Sequence, residues 1–177
     1  MESGEESPGR VLLDAKKIRK RVLELGDQIS EDYRGKRPHV IAILKGATIF
    51  HADLVREIRL DLSLDFMAVG SYGDQTSSSG VVRILKDLDE SLEGRDVLLV
   101  EDIVDTGLTL HYLLRNLRAR NPKSLKVVSL LNKPSRREIE VPVDYIGFDV
   151  PDEFVVGYGL DFGQRYRNLR AIHTLLT

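Results

Sequence analysis

Apolar positions recur along this chain with two periods, and the switches between them mark out its elements. Ile18, Val22, Leu25 and Ile29 fall on one helical stripe, which predicts a helix from about Asp14 to Tyr33. Pro38 then opens an apolar run, His39 to Leu44, read as a strand. From Ala47 to Ile58 the helical period returns, with Phe50, Leu54 and Ile58 on one face, and Leu62 to Val69 reads as a second strand. The segment Ser71 to Gly80, SYGDQTSSSG, is polar or small throughout and has nothing to bury. Val81 to Leu85 is β-prone, so the pair predicts a long hairpin with that loop at its tip. Val97 to Val100 has the composition of a buried strand, and Leu110, Leu113, Leu114 and Leu117 mark the helix after it. Leu125 to Leu131 is another apolar strand, and Tyr145 to Phe148 and Phe154 to Tyr158 are short β segments.

Strands alternating with helices predict an α/β fold, a mostly parallel sheet covered on both faces. Ligands of such sheets sit beyond the carboxyl ends of the strands. The polar segments Lys45-Gly46, Glu101 to Thr109, Lys133-Pro134 and Phe154 to Asp161 fall at those ends, which argues for one shared site. No internal repeat or linker divides the chain.

Composition narrows the picture. At 177 residues, 42% hydrophobic and 31% charged, the chain suits one soluble domain. A net charge of -2 gives no push toward nucleic acid or an anionic membrane. The basic run Lys16, Lys17, Arg19, Lys20, Arg21 reads as a solvated helix face, with an RNA-binding face as the second reading. The absence of cysteine excludes disulfides and thiolate metal sites. No run approaches the ~18 apolar residues of a membrane span. Residues 1–10 are polar, lack the apolar centre of a signal peptide and are expected as a loose leader, which points to the cytoplasm.

The chemistry concentrates in Val97 to Leu110, VLLVEDIVDTGLTL. A buried strand gives way to Glu101 and Asp102, then to the short loop Asp105-Thr106-Gly107, then to a helix. That helix start can hold a phosphate on free backbone N–H groups, and the carboxylates can bind sugar hydroxyls or a magnesium shell. No GxxxxGK[ST] places a lysine on a triphosphate, and no GxGxxG follows a strand, so neither a nucleoside triphosphate nor a dinucleotide is indicated. A single phosphate suits Thr106, Gly107 and Thr109. The plainer alternative is an ordinary helix cap at Asp105 or Thr106.

VLLVEDIVDTGLTL resembles the phosphoribosyl-pyrophosphate signature of the type I phosphoribosyltransferases, and EDIVDTG is similar to their bacterial 6-oxopurine, or hypoxanthine-guanine, branch. The resemblance also takes in LKG at Leu44 to Gly46, SYG at Ser71 to Gly73, LLNKP at Leu130 to Pro134, DEFVVGYGLD at Asp152 to Asp161, and Arg167. It implies a single domain over 11–177. The implied fold is a five-stranded, mostly parallel core sheet flanked by helices, with a small hood made from the chain ends and a flexible hairpin lid starting at Ser71 and Tyr72. The implied reaction is purine salvage: hypoxanthine or guanine takes phosphoribosyl from phosphoribosyl pyrophosphate. Family members are homodimers or homotetramers.

The resemblance also implies roles. Asp105 is the general base toward purine N7. Glu101 and Asp102 serve the ribose hydroxyls and magnesium, with Asp161 as the second magnesium contact near the pyrophosphate and also among the purine-binding residues. Neighbours on a strand point to opposite faces, however, and the alternative is that one of Glu101 and Asp102 is structural. Asp105, Thr106, Gly107, Leu108 and Thr109 form the phosphate loop. Lys45 and Gly46, with a cis peptide before the lysine, bind pyrophosphate together with Arg167. Lys133 donates to the purine O6, which selects 6-oxo over 6-amino bases; Phe154 stacks on the purine and Val155 offers backbone groups to its edge. Two rivals stand beside this reading: an enzyme of the same fold acting on xanthine, adenine or a pyrimidine, and a regulator that binds RNA without turnover.

Overall fold

Strands that are apolar on both sides must be covered on both sides, and His39–Leu44 and Val97–Val100 set the centre of this molecule accordingly. The structure is a computed structural model and describes residues 8–71 and 82–175. In chain order the elements are β1 (Pro8–Leu13), α1 (Ala15–Asp32), β2 (His39–Leu44), α2 (Thr48–Glu57), β3 (Ser63–Ser71), β4 (Val82–Lys86), β5 (Asp96–Val104), α3 (Leu108–Arg118), β6 (Ser124–Asn132), a 3-10 turn (Pro134–Arg136), β7 (Tyr145–Asp149), β8 (Val155–Val156) and β9 (Ile172–Leu175).

The main sheet has six strands in the order β4-β3-β2-β5-β6-β7. Five of them are parallel, as expected, and β4 adds to the edge of β3 antiparallel. Side chains alternate between two cores. Val40, Leu98 and Val128 face α1 and α2, whose Ile18, Val22, Leu25, Ile29, Phe50 and Leu54 are buried there. Ile41, Leu99 and Val127 face α3 and its Leu110, Leu113, Leu114 and Leu117. Asp14 caps α1, its Oδ1 accepting from Lys17 N at 2.9 Å. A second, three-stranded sheet, β1-β9-β8, is built from the two ends of the chain and forms the hood.

Three boundaries differ from expectation. β1 begins at Pro8, so Pro8, Gly9 and Arg10 of the expected leader lie in a strand; β9 supplies the pairing partner that their polar composition does not advertise. β5 does not stop where the sequence turns acidic. It runs to Val104, because Glu101, Ile103 and Val104 keep Ser129, Leu131 and Asn132 of β6 as ladder partners. The segment Phe154 to Tyr158 shortens to the two residues of β8. Ser71 ends β3, while Tyr72 and the rest of the expected lid to Gly80, together with Val81, lie outside the described residues.

Candidate active site

At the carboxyl end of β5 a cavity of about 300 Å³ opens, lined by Glu101, Asp102, Asp105, Thr106, Gly107 and Thr109 and backed by Ile43 and Leu110. Glu101 and Asp102 are both lining residues, and the Asp102 carboxylate lies against Gly46. Gly107 takes the cap position of α3 with φ +88°, and no side chain caps the helix. Of the two cap candidates, Thr106 alone meets the helix start, from one position before the cap residue. Thr106 Oγ1 accepts from Leu108 N at 3.3 Å, and the N–H groups of the rest of the first turn have no partner within the helix. Only glycine fits at 107: a Cβ there would lie 2.4 Å from the Ile139 carbonyl oxygen.

Burial sets the electrostatics. It holds Glu101 well above the usual carboxylate range, and neighbouring Asp102 pushes the same way. Asp102 is pushed up to about 6 by burial; hydrogen bonding from Ile103 N and the charge of Arg167 work against that, and the charge of Asp161 adds to it. Gly46 makes room for this carboxylate, since a Cβ there would sit 1.7 Å from Asp102 Oδ2. A cation placed here would relieve both acids. Among the described residues no three acidic or imidazole side chains cluster closely enough to hold a metal alone.

One flank of the cavity gathers the expected pyrophosphate residues. Asp161 Oδ1 lies 3.0 Å from Arg167 Nη2, and Arg167 Nη1 donates to the Gly159 carbonyl at 2.7 Å. Gln164 Oε1 accepts from Lys45 Nζ at 3.3 Å and from Arg167 Nη2 at 3.2 Å, while Gln164 N donates to Asp161 Oδ2 at 2.8 Å. Arg167 Nε is buried without a hydrogen-bond partner. The peptide bond between Leu44 and Lys45 is cis.

The other flank carries the expected purine residues. Lys133 follows β6 directly, and its N–H donates to the Val104 carbonyl at 2.9 Å, one residue before Asp105. Its side chain is buried, and among the described residues it has no hydrogen-bonding or ionic partner. Phe154 is 48% exposed and meets Phe162 edge-on, ring centroids 5.6 Å apart. Val155 turns its side chain into the core, so only its backbone is available to a ligand. Asp105 accepts from Arg136 Nε at 3.2 Å, and the same nitrogen lies 3.8 Å from Asp152 Oδ1, two residues before Phe154.

A model of the phosphoribosyl transferase domain matches residues 10–163. The hypoxanthine-guanine phosphoribosyltransferase of Mycobacterium avium is 56% identical over 171 residues, covering 93% of this chain and 84% of that protein. The chain belongs to the hypoxanthine-guanine phosphoribosyltransferase family. A second member, from Bacillus subtilis (strain 168), is 52% identical over 166 residues and covers 94% of this chain and 92% of its own length. The crystal structure of a Staphylococcus aureus hypoxanthine phosphoribosyltransferase superposes with a TM-score of 0.92 at 47% identity, covering 96% of this chain and 92% of that one. This likeness establishes the type I phosphoribosyltransferase fold here.

Of the residues expected from the sequence, Glu101, Asp102, Asp105, Thr106, Gly107 and Thr109 line one cavity, Gly46, Asp161 and Arg167 lie beside Asp102, and Lys133 joins the end of β5 through its backbone. The structure adds Gln164, Arg136 and Phe162, which sequence reading passed over. Gln164 and Arg136 sit in polar loops, where a side chain of either type is ordinary. The one available signal for Phe162 was its place beside Asp161.

Proposed function

We propose that this single cavity performs the family's transfer, with Asp105 as proton acceptor and Lys133 as the reader of the purine 6-oxo group. The chain is a purine-salvage transferase: phosphoribosyl pyrophosphate and hypoxanthine or guanine give IMP or GMP and pyrophosphate. The observation that carries the residue assignment is one shared rim. Lys133 N is bonded to Val104 O, Asp105 follows at once, and the start of α3 comes next.

Each residue then has a task that its surroundings support. The first turn of α3, with Thr106 and Thr109, holds the 5′-phosphate. Glu101 and Asp102 accept from the ribose hydroxyls, and their buried charge favours the positive charge that builds on the sugar as its bond to pyrophosphate lengthens. Arg167, Lys45 and the Gly46 backbone receive the leaving pyrophosphate. Phe154 covers the purine face, Lys133 donates to O6, and Asp105 takes the N7 proton. Glu101, Asp102 and Asp161 would hold magnesium, a hard cation that takes oxygen ligands. Bound there, the ion neutralises charge on the leaving group.

We also assign residues 11–177, with Pro8 to Arg10 of β1, to one phosphoribosyltransferase domain, residues 71–80 to a lid, the enzyme to the cytoplasm, and its assembly to a homodimer or homotetramer. No helix among the described residues is long and apolar enough to cross a membrane. The test is spectrophotometric turnover with hypoxanthine, guanine, xanthine and adenine, with and without magnesium, for the wild type and Lys133→Met. Magnesium-dependent turnover of 6-oxopurines is expected, with kcat/KM reduced at least about 10²-fold in Lys133→Met. Adenine turned over as fast as hypoxanthine overturns the role of Lys133.

A further inference from the structure

Asp105 is held at both its backbone and its side chain by one short segment. The 3-10 turn Pro134–Arg136 follows Lys133 and leads into Arg137, Glu138 and Ile139. Arg137 Nε donates to the Asp105 carbonyl at 3.2 Å, and its guanidinium also donates to the Asn132 side chain. Glu138 N and Ile139 N donate to the Thr106 carbonyl at 2.9 and 3.2 Å. These contacts fix the path of the phosphate loop but leave the Asp105 carboxylate free to rotate. Among the described residues, only Arg136 bonds that carboxylate, at 3.2 Å, while standing 3.8 Å from Asp152.

We infer that Arg136 is a positioning residue: it bridges Asp105 to Asp152 and so holds the proton acceptor in one orientation toward the purine. This rests on Asp105 being the base. A base must come within about 2.6–3.2 Å of the proton it takes, and a half-exposed aspartate has several rotamers that miss. A guanidinium seated between two carboxylates favours one of them. The pair adds little to folding, because both groups reach solvent. Its placement is therefore better explained by orientation than by stability.

The experiment is a double-mutant cycle read by kcat and KM with hypoxanthine. Arg136→Ala should lower kcat about tenfold, a part of the roughly 10²- to 10⁴-fold that proton transfer contributes. The KM for phosphoribosyl pyrophosphate and the thermal midpoint should hold, and Arg136→Lys should recover part of the loss. In an Asp105→Asn background, Arg136→Ala should change nothing further, since its effect runs through the missing carboxylate. Equal losses in both backgrounds, or a normal kcat in Arg136→Ala beside an impaired Asp105→Asn, overturn the role of Arg136. Normal turnover in Asp105→Asn removes the base assignment itself, and the two failures are told apart by that variant alone.

Discussion

An aspartate at position 102 costs the ligand-free protein stability, because its charge is buried before any substrate arrives to match it. Its pKa near 6 in the folded chain lies above the ~3.9 of an unfolded aspartate. The folded state thus holds the proton more tightly than the unfolded state does. The penalty is fully present above about pH 6 and fades as the pH falls toward about 4. Asp102→Asn should therefore raise the thermal midpoint at pH 7.5, by the equivalent of roughly 1–3 kcal/mol, and leave it little changed at pH 4, while transfer activity drops. A midpoint lowered equally at both pH values would contradict this. The residue types at the centre were readable in the chain: EDIVDTG and NKP put Glu101, Asp102, Asp105 and Lys133 in recognisable order. Arg136 and Gln164 were not. Their partners Asp105 and Lys45 lie 31 and 119 residues away, and no local pattern links them.

At the scale of elements, the site depends on segments packed too closely for a side chain. The loop from β5 to α3 touches the segment after the 3-10 turn through Gly107, whose φ of +88° also favours glycine. Gly107→Ala would have to move Ile139 or the loop itself. It should lower the affinity for phosphoribosyl pyrophosphate at least about tenfold and cost about 1–3 kcal/mol of stability, the range for a strained backbone position. Unaltered affinity by calorimetry would show that the loop does not hold the phosphate. Strand and helix positions were legible here because periodicity survives tertiary packing. The end of β5 was not: charge on Glu101 and Asp102 suggested a stop, yet backbone pairing with β6 continues through them.

At the scale of the molecule, one end of a parallel sheet collects residues from β2, β5 and β6, and the hood brings Asp161, Gln164 and Arg167 over them. The sheet followed from the alternation of elements. Of the hood, periodicity marked only the segment that holds β8; β9 is short and β1 starts in a polar stretch, and the hood as a unit was legible only through the family resemblance. The central claim is that this assembly aligns a single carboxylate with the purine while the rest binds the activated sugar. The most direct measurement is the single-turnover rate of Asp105→Asn with hypoxanthine and magnesium phosphoribosyl pyrophosphate, beside its equilibrium affinity for the latter. With Asp105 as the base, the rate should fall by about 10²-fold or more with affinity within about threefold of wild type. A wild-type rate, or a rate that falls only as far as the affinity does, would contradict that assignment.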